Sequence, residues 1–152
     1  MTGHEILLKP ENLQVTGSFK IRGAYNKIAS LSDEQLAHGI VTASAGNHAQ
    51  GVAYAARERG AKATICMPQI TPPLKVDATK AYGADVVLCG EVFDESAAHA
   101  QELSDNEGMI YVPPFDDYEV LCGQGTIGLE ILEDVPNVTD VVVPLGGGGR
   151  GR

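Results

Sequence analysis

The chain has 152 residues, of which 43% are apolar, with no tryptophan and a formal net charge of −9. That length supports one moderate core, and the acidic balance argues against a nucleic-acid surface, which needs clustered Lys and Arg. No apolar run approaches the roughly 18 residues that span a bilayer, and no basic segment follows Met1, so the expectation is a soluble, cytoplasmic protein.

In chain order, short apolar runs at 6–8, 40–43, 63–67, 86–89, 109–112 and 140–144 predict strands. Most are rich in Val or Ile and suit burial on both faces of a parallel sheet. Helical stretches are predicted at 18–30, 47–59, 73–82, 93–107 and 124–134. Ser32-Asp33-Glu34-Gln35 is a capping box that opens a further short helix. Gly60, Gly83 and Gly108 each stand where a left-handed residue would end a helix. The β-α-β-α-β-α-β rhythm predicts an α/β fold built on a parallel sheet. The last strand runs into Gly146-Gly147-Gly148-Gly149 without a following helix to cover the sheet, which predicts a piece of a larger domain.

Cys66, Cys89 and Cys122 form no C-x-x-C pair, and His4, His38, His48 and His99 show no i, i+4 spacing. Neither a disulfide framework nor a metal site is therefore expected. Asp116-Asp117 suggests a solvated turn in which Asp117 caps a helix, and Glu130, Glu133 and Asp134 suggest a wet helix face.

Three stretches carry possible chemistry. In Thr16-Gly17-Ser18-Phe19-Lys20-Ile21-Arg22-Gly23, Thr16 or Ser18 is placed to cap a helix whose first turn holds Lys20. A helix N-terminus disfavours an ammonium, and only the free amine forms a Schiff base. Phe19 offers an apolar face for a flat ring, although from this stretch alone a lysine reads first as a solvated helix residue. Ser44-Ala45-Gly46-Asn47-His48-Ala49-Gln50-Gly51 follows a strand and opens a helix, so its backbone N–H groups could receive a carboxylate or phosphate. The alternative is an ordinary βα turn with Ser44 as N-cap. Gly146–Gly149 would let backbone approach a phosphate closely. Gly146-x-Gly148-x-x-Gly151 also satisfies the dinucleotide pattern, which keeps a nucleotide-binding module open, but the pattern wants a following helix and a later acidic residue.

Taken with Lys9-Pro10-Glu11-Asn12-Leu13-Gln14, Pro113-Pro114-Phe115-Asp116-Asp117 and Gly123-Gln124-Gly125-Thr126, these segments resemble the fold-type II pyridoxal-phosphate (PLP) enzymes of the threonine dehydratase and serine racemase family. The resemblance runs from about Ile6 to Gly149. It implies a three-layer α/β fold of the tryptophan synthase β-like kind, with a complete smaller domain at 39–120. Residues 1–38 and 121–152 would be incomplete parts of the larger domain. It further implies that Lys20 holds PLP as a Schiff base with Phe19 near the ring, that Asn47 bonds the ring oxygen, and that Gly146, Gly147, Gly148 and Gly149 cradle the phosphate. Ser44, Ala45, Gly46, Asn47 and His48 would grip the substrate carboxylate.

The implied reaction is β-elimination of L-threonine or L-serine to a 2-oxo acid and ammonia. Serine racemase activity, or a non-catalytic fragment with little PLP binding, stand as alternatives. Racemases of the family resemble one another in having a serine where this chain has Ala45, which favours the dehydratase. The resemblance also implies a small amino-acid substrate, a homo-oligomer in the full-length form, and a place in isoleucine biosynthesis.

Overall fold

In the computed structural model, residue 3 and residues 5–144 are described. Four strands form one parallel sheet: β1 (Ile40–Ala43), β2 (Ala63–Met67), β3 (Asp85–Leu88) and β4 (Ile110–Tyr111). Their order is β3-β2-β1-β4, with Ile40 opposite both Ala63 and Ile110. Six α-helices join and cover them: α1 (Lys20–Ala29), α2 (Asp33–Ala37), α3 (Asn47–Glu58), α4 (Pro73–Lys80), α5 (Phe93–Glu107) and α6 (Tyr118–Asp134).

The layers follow from strand alternation. Ile40, Ile65 and Met67 point into a core shared with Ala24 and Ile28 of α1, Val52 and Ala56 of α3, and Val76 of α4. Val41, Ala43 and Cys66 point to the other face, where Ala97, Ala100 and Leu103 of α5 cover them. The expected three-layer α/β arrangement is therefore present.

Local chemistry sets the helix ends. Ser32 Oγ accepts from the Gln35 amide at 3.2 Å while Gln35 Oε1 accepts from the Ser32 amide at 2.9 Å, completing the capping box. Gly60, Gly83 and Gly108 take φ of 66°, 89° and 74°, the left-handed values their positions require. Asp117 Oδ1 accepts from the Val120 amide at 3.0 Å and caps α6. That helix starts at Tyr118, well before the predicted 124, because Gly123 and Gly125 dilute its helical signal.

Gly123 is needed for packing. A Cβ on it would lie 2.4 Å from the Arg22 carbonyl oxygen, and one on Gly23 would lie 2.6 Å from the Val120 carbonyl oxygen. Helices α1 and α6 thus meet backbone to backbone. Arg22 reinforces the contact with two forks, to Glu11 at 2.8 and 2.9 Å and to Glu130 at 2.6 and 2.7 Å. Glu130 is consequently no bystander on a wet face: hydrogen bonds from Arg22 and Lys9 hold its carboxyl well down, at about 2.

Two predicted strands are absent. Residues 6–8 and 140–144 have no sheet partner among the described residues, and their side chains are exposed, to 86% at Leu8 and 96% at Val142. Apolar β-branched sequence favours extension, but a strand exists only beside another strand whose N–H and C=O groups it can pair.

Candidate active site

The strand order reverses direction between β1 and β4: the chain steps from β1 outward to β2 and β3, then returns to place β4 on the other side of β1. Helix-linked parallel sheets open a crevice at such a switch point, outside the carboxyl ends of the strands. The Ser44–Gly46 turn leaves β1 there, and Val112 to Phe115 leave β4 there.

The amine of Lys20 reaches this crevice. Its Nζ donates to the Pro114 carbonyl and lies 5.3 Å from the centre of the Phe19 ring and 6.0 Å from that of Phe115. Helix α1 can bring it so close because residue 51 of α3 is glycine: a Cβ there would sit 3.3 Å from Lys20 carbonyl atoms. The expected caps of α1 are not used as anticipated. Its N-cap residue is Phe19 without a side-chain cap; among the described residues Thr16 Oγ1 is buried without a hydrogen-bond partner, and Ser18 Oγ accepts a long bond from the Lys20 amide, at 3.4 Å.

The turn after β1 also departs from its ordinary reading. Ser44 Oγ accepts from the Gly46 amide at 3.2 Å, so it braces the turn rather than the helix. The N-cap of α3 is Gly46, which has no side chain to offer. Among the described residues no N-cap side chain caps α3, and the partial positive charge of that helix end faces the crevice. Asn47, the first residue of α3, is exposed at this mouth. Ala45 contributes a methyl group.

His48 is fixed beneath the turn, 2% exposed, with Nε2 3.0 Å from the Val112 carbonyl. The Thr42 hydroxyl donates to the same carbonyl at 2.7 Å, tying β1 to the end of β4. Burial lowers the His48 pKa to about 4, opposed by its bond to Val112 and aided by the positive charge of Lys20. The ring is thus neutral near pH 7. Because a carbonyl only accepts, Nε2 carries the proton and Nδ1 is a bare acceptor, which has no partner among the described residues. An acceptor cannot hold a carboxylate, so any carboxylate grip in this turn belongs to backbone amides and not to the imidazole.

The structure therefore brings Lys20, Phe19 and the Ser44–His48 turn to one crevice. Gly146, Gly147, Gly148 and Gly149 lie outside the described residues. Sequence reasoning gave no role to Pro114, Phe115 or the Val112 carbonyl. The available signal was a proline pair directly after an apolar run, which holds a chain extended as it leaves a strand.

Residues 1–151 match the family described as pyridoxal-phosphate dependent enzyme. Over 149 residues the chain is 58% identical to the L-threonine ammonia-lyase of Thermotoga maritima, covering 98% of this chain and 37% of that protein. The fold superposes on the processed form of threonine deaminase isoform 2 from Solanum lycopersicum with a TM-score of 0.91 at 53% identity, covering 93% of this chain and 39% of that one. It superposes on maize serine racemase with a TM-score of 0.90 at 39% identity, covering 93% and 43%. The chain thus spans about two fifths of the length of such relatives, 37% in the first case. Among the described residues no helix is long and apolar enough to cross a membrane. A lysine amine beside an uncapped helix end at a parallel-sheet switch point, in a chain with these likenesses, has one origin: the protein belongs to the pyridoxal-phosphate dependent enzyme family, with the fold-type II architecture.

Proposed function

We propose that this chain is part of an ammonia-lyase that converts L-threonine or L-serine to a 2-oxo acid and ammonia. The observation that carries the reading is the Lys20 amine, held by the Pro114 carbonyl at the crevice between β1 and β4 and flanked by Phe19 and Phe115. The site fits pyridoxal phosphate: an amine for its aldehyde, two rings beside a flat pyridine, and an uncapped α3 terminus for the carboxylate of an amino acid.

Bound there, the cofactor supplies a sink for the electron pair left at Cα when its proton departs. Lys20 holds the cofactor and takes the Cα proton at Nζ. The Pro114 carbonyl accepts from the amine and keeps it in reach of the crevice. The amides of Ala45, Asn47 and His48 in the Ser44–His48 turn bind and orient the substrate carboxylate, and His48 braces the turn from below. Asn47 would hold the cofactor at its ring oxygen, and Gly146 to Gly149 would hold its phosphate. Phe19 and Phe115 exclude water around the amine. Ala45 has no proton to give, which favours elimination over racemisation.

The wider reading belongs to the same proposal and is supported by the resemblance alone. It places a smaller domain at 39–120, with 1–38 and 121–152 in a larger one, in a cytoplasmic homo-oligomer that serves isoleucine biosynthesis.

The test is borohydride reduction of the holo-protein followed by peptide mapping, with 2-oxo acid release measured in parallel. The adduct is expected on Lys20, and Lys20→Ala is expected to lose both the adduct and at least about 1,000-fold in rate. An adduct on another lysine overturns the assignment. D-serine forming faster than pyruvate from L-serine would reverse the choice between lyase and racemase.

A further inference from the structure

On the sheet face away from α1 and α3, three soft side chains from three elements converge. Cys66 lies on β2, Cys89 directly after β3, and His99 on α5; their ligand atoms all lie within 4.8 Å of one another. Separations of 23 and 10 positions in the sequence hide this from any spacing rule (89 − 66 and 99 − 89). We propose that Cys66, Cys89 and His99 form a binding site for a borderline or soft d10 cation of the Zn²⁺ class, with solvent at the fourth position.

The geometry suits such an ion. Zinc takes sulfur at about 2.3 Å and nitrogen at about 2.0 Å in a tetrahedron, which places ligand atoms about 3.5–3.8 Å apart. Contraction from within 4.8 Å is a matter of side-chain torsions. The mix of two thiols and an imidazole selects Zn²⁺ or Cu⁺ over Mg²⁺ or Ca²⁺, which want oxygen. Two thiolates balance one divalent cation, so the buried part of the site gains no net charge.

Two features go beyond mere proximity. His99 Nδ1 lies 3.5 Å from Glu102 Oε2, and a carboxylate behind a ligating imidazole is the arrangement that orients metal-binding histidines. Access is graded as well: Cys66 is fully buried, Cys89 half-buried, and the His99 side chain 37% exposed, which leaves an entry path and room for water. The two thiols already interact with each other, and the Cys89 thiol makes a further long 3.8 Å contact to the Val87 carbonyl.

The site also connects to the crevice. The Cys66 carbonyl accepts from the Ser44 amide at 3.1 Å, so an ion on Cys66 steadies the strand end from which the carboxylate-binding turn departs.

The experiment is titration of the reduced, metal-free protein with Zn²⁺ in competition with a chromophoric chelator, and with Co²⁺ for its thiolate charge-transfer band. The Lys20→Ala form is included so that cofactor chemistry plays no part. One Zn²⁺ per chain and a cobalt–thiolate band are expected. Cys89→Ala and His99→Ala, both at partly exposed positions, are expected to weaken Zn²⁺ about 100-fold, and the positioning variant Glu102→Gln about tenfold. Cys122→Ser, an exposed cysteine outside the cluster, should leave binding unchanged. Failure of the reduced protein to bind Zn²⁺, a cobalt spectrum without the thiolate band, or affinity that survives both Cys89→Ala and His99→Ala overturns the proposal.

Discussion

Helix α1 is held on two sides in two different ways. Against α6 it meets backbone directly, with Gly23 and Gly123 leaving no space for a methyl group and Arg22 gripping Glu11 and Glu130 across the junction. Against α3 the approach at the glycine is less extreme: a Cβ on Gly51 would meet Lys20 backbone at 3.3 Å, and the rest of the contact is buried side chains, Ala24 and Ile28 against Ala49, Val52 and Ala56. The first contact fixes where α1 is. The second is made mostly by side chains, with a tight but not forbidden approach at Gly51 beside Lys20.

The largest expected effect tests the α3 side. His48 is buried neutral with its pKa lowered to about 4, so the unfolded chain binds a proton there that the folded one does not. Stability is therefore full above about pH 6.5, declines as pH falls through the window from 6.5 to 4, and levels off below it, for a loss on the order of 3 kcal/mol. Chemical denaturation followed across that range checks this, and His48→Gln should flatten the slope. A slope unchanged by the substitution would mean that the acid sensitivity arises elsewhere.

On the α6 side, Gly123→Ala forces a methyl to within 2.4 Å of the Arg22 carbonyl oxygen, a backbone atom that cannot swing away. Overpacking of this kind outweighs the better helix propensity of alanine, and a net loss of about 2 kcal/mol in unfolding free energy is expected. Wild-type stability in Gly123→Ala would show that the two helices can separate freely.

The smallest effects sharpen the contrast. Gly128→Ala meets nothing within 4 Å among the described residues and should add up to about 1 kcal/mol through helix propensity alone. Gly51→Ala should be close to neutral in stability, since the same gain offsets a shift of a few tenths of an ångström, yet it should lower ammonia release by moving Lys20. Equal stability changes at 51 and 123, read from thermal melts, would erase the distinction between the two sides.

Much of the fold was legible because its signals are local. The capping box at Ser32–Gln35, the Asp117 cap and the left-handed glycines 60, 83 and 108 act over one turn of chain and appear where their residue types predicted. The misassigned caps show the limit of that reading. Ser44 and Ser18 have the right side chains for N-caps, but which amide each hydroxyl finds depends on where the helix starts, and packing decides that: Gly46 precedes α3 and Phe19 precedes α1.

Residues 6–8 and 140–144 show the same limit for strands, since their composition is that of β1 while their burial is the opposite. The site divides similarly. Lys20, Phe19 and the Ser44–His48 turn were readable from residue type and resemblance; the Pro114 and Val112 carbonyls, as backbone atoms of unremarkable residues, were not.

By itself the sequence determined the α/β class and pointed to a candidate lysine and a turn that could receive an anion, because periodicity, amine chemistry and glycine freedom are properties of short stretches. The tertiary structure alone decided that β4 returns beside β1 to open the crevice, that His48 is a neutral brace, and that Cys66, Cys89 and His99 meet. Those outcomes depend on which distant segments share a strand edge or a helix face, and long-range contact is the one thing that spacing along a chain does not encode.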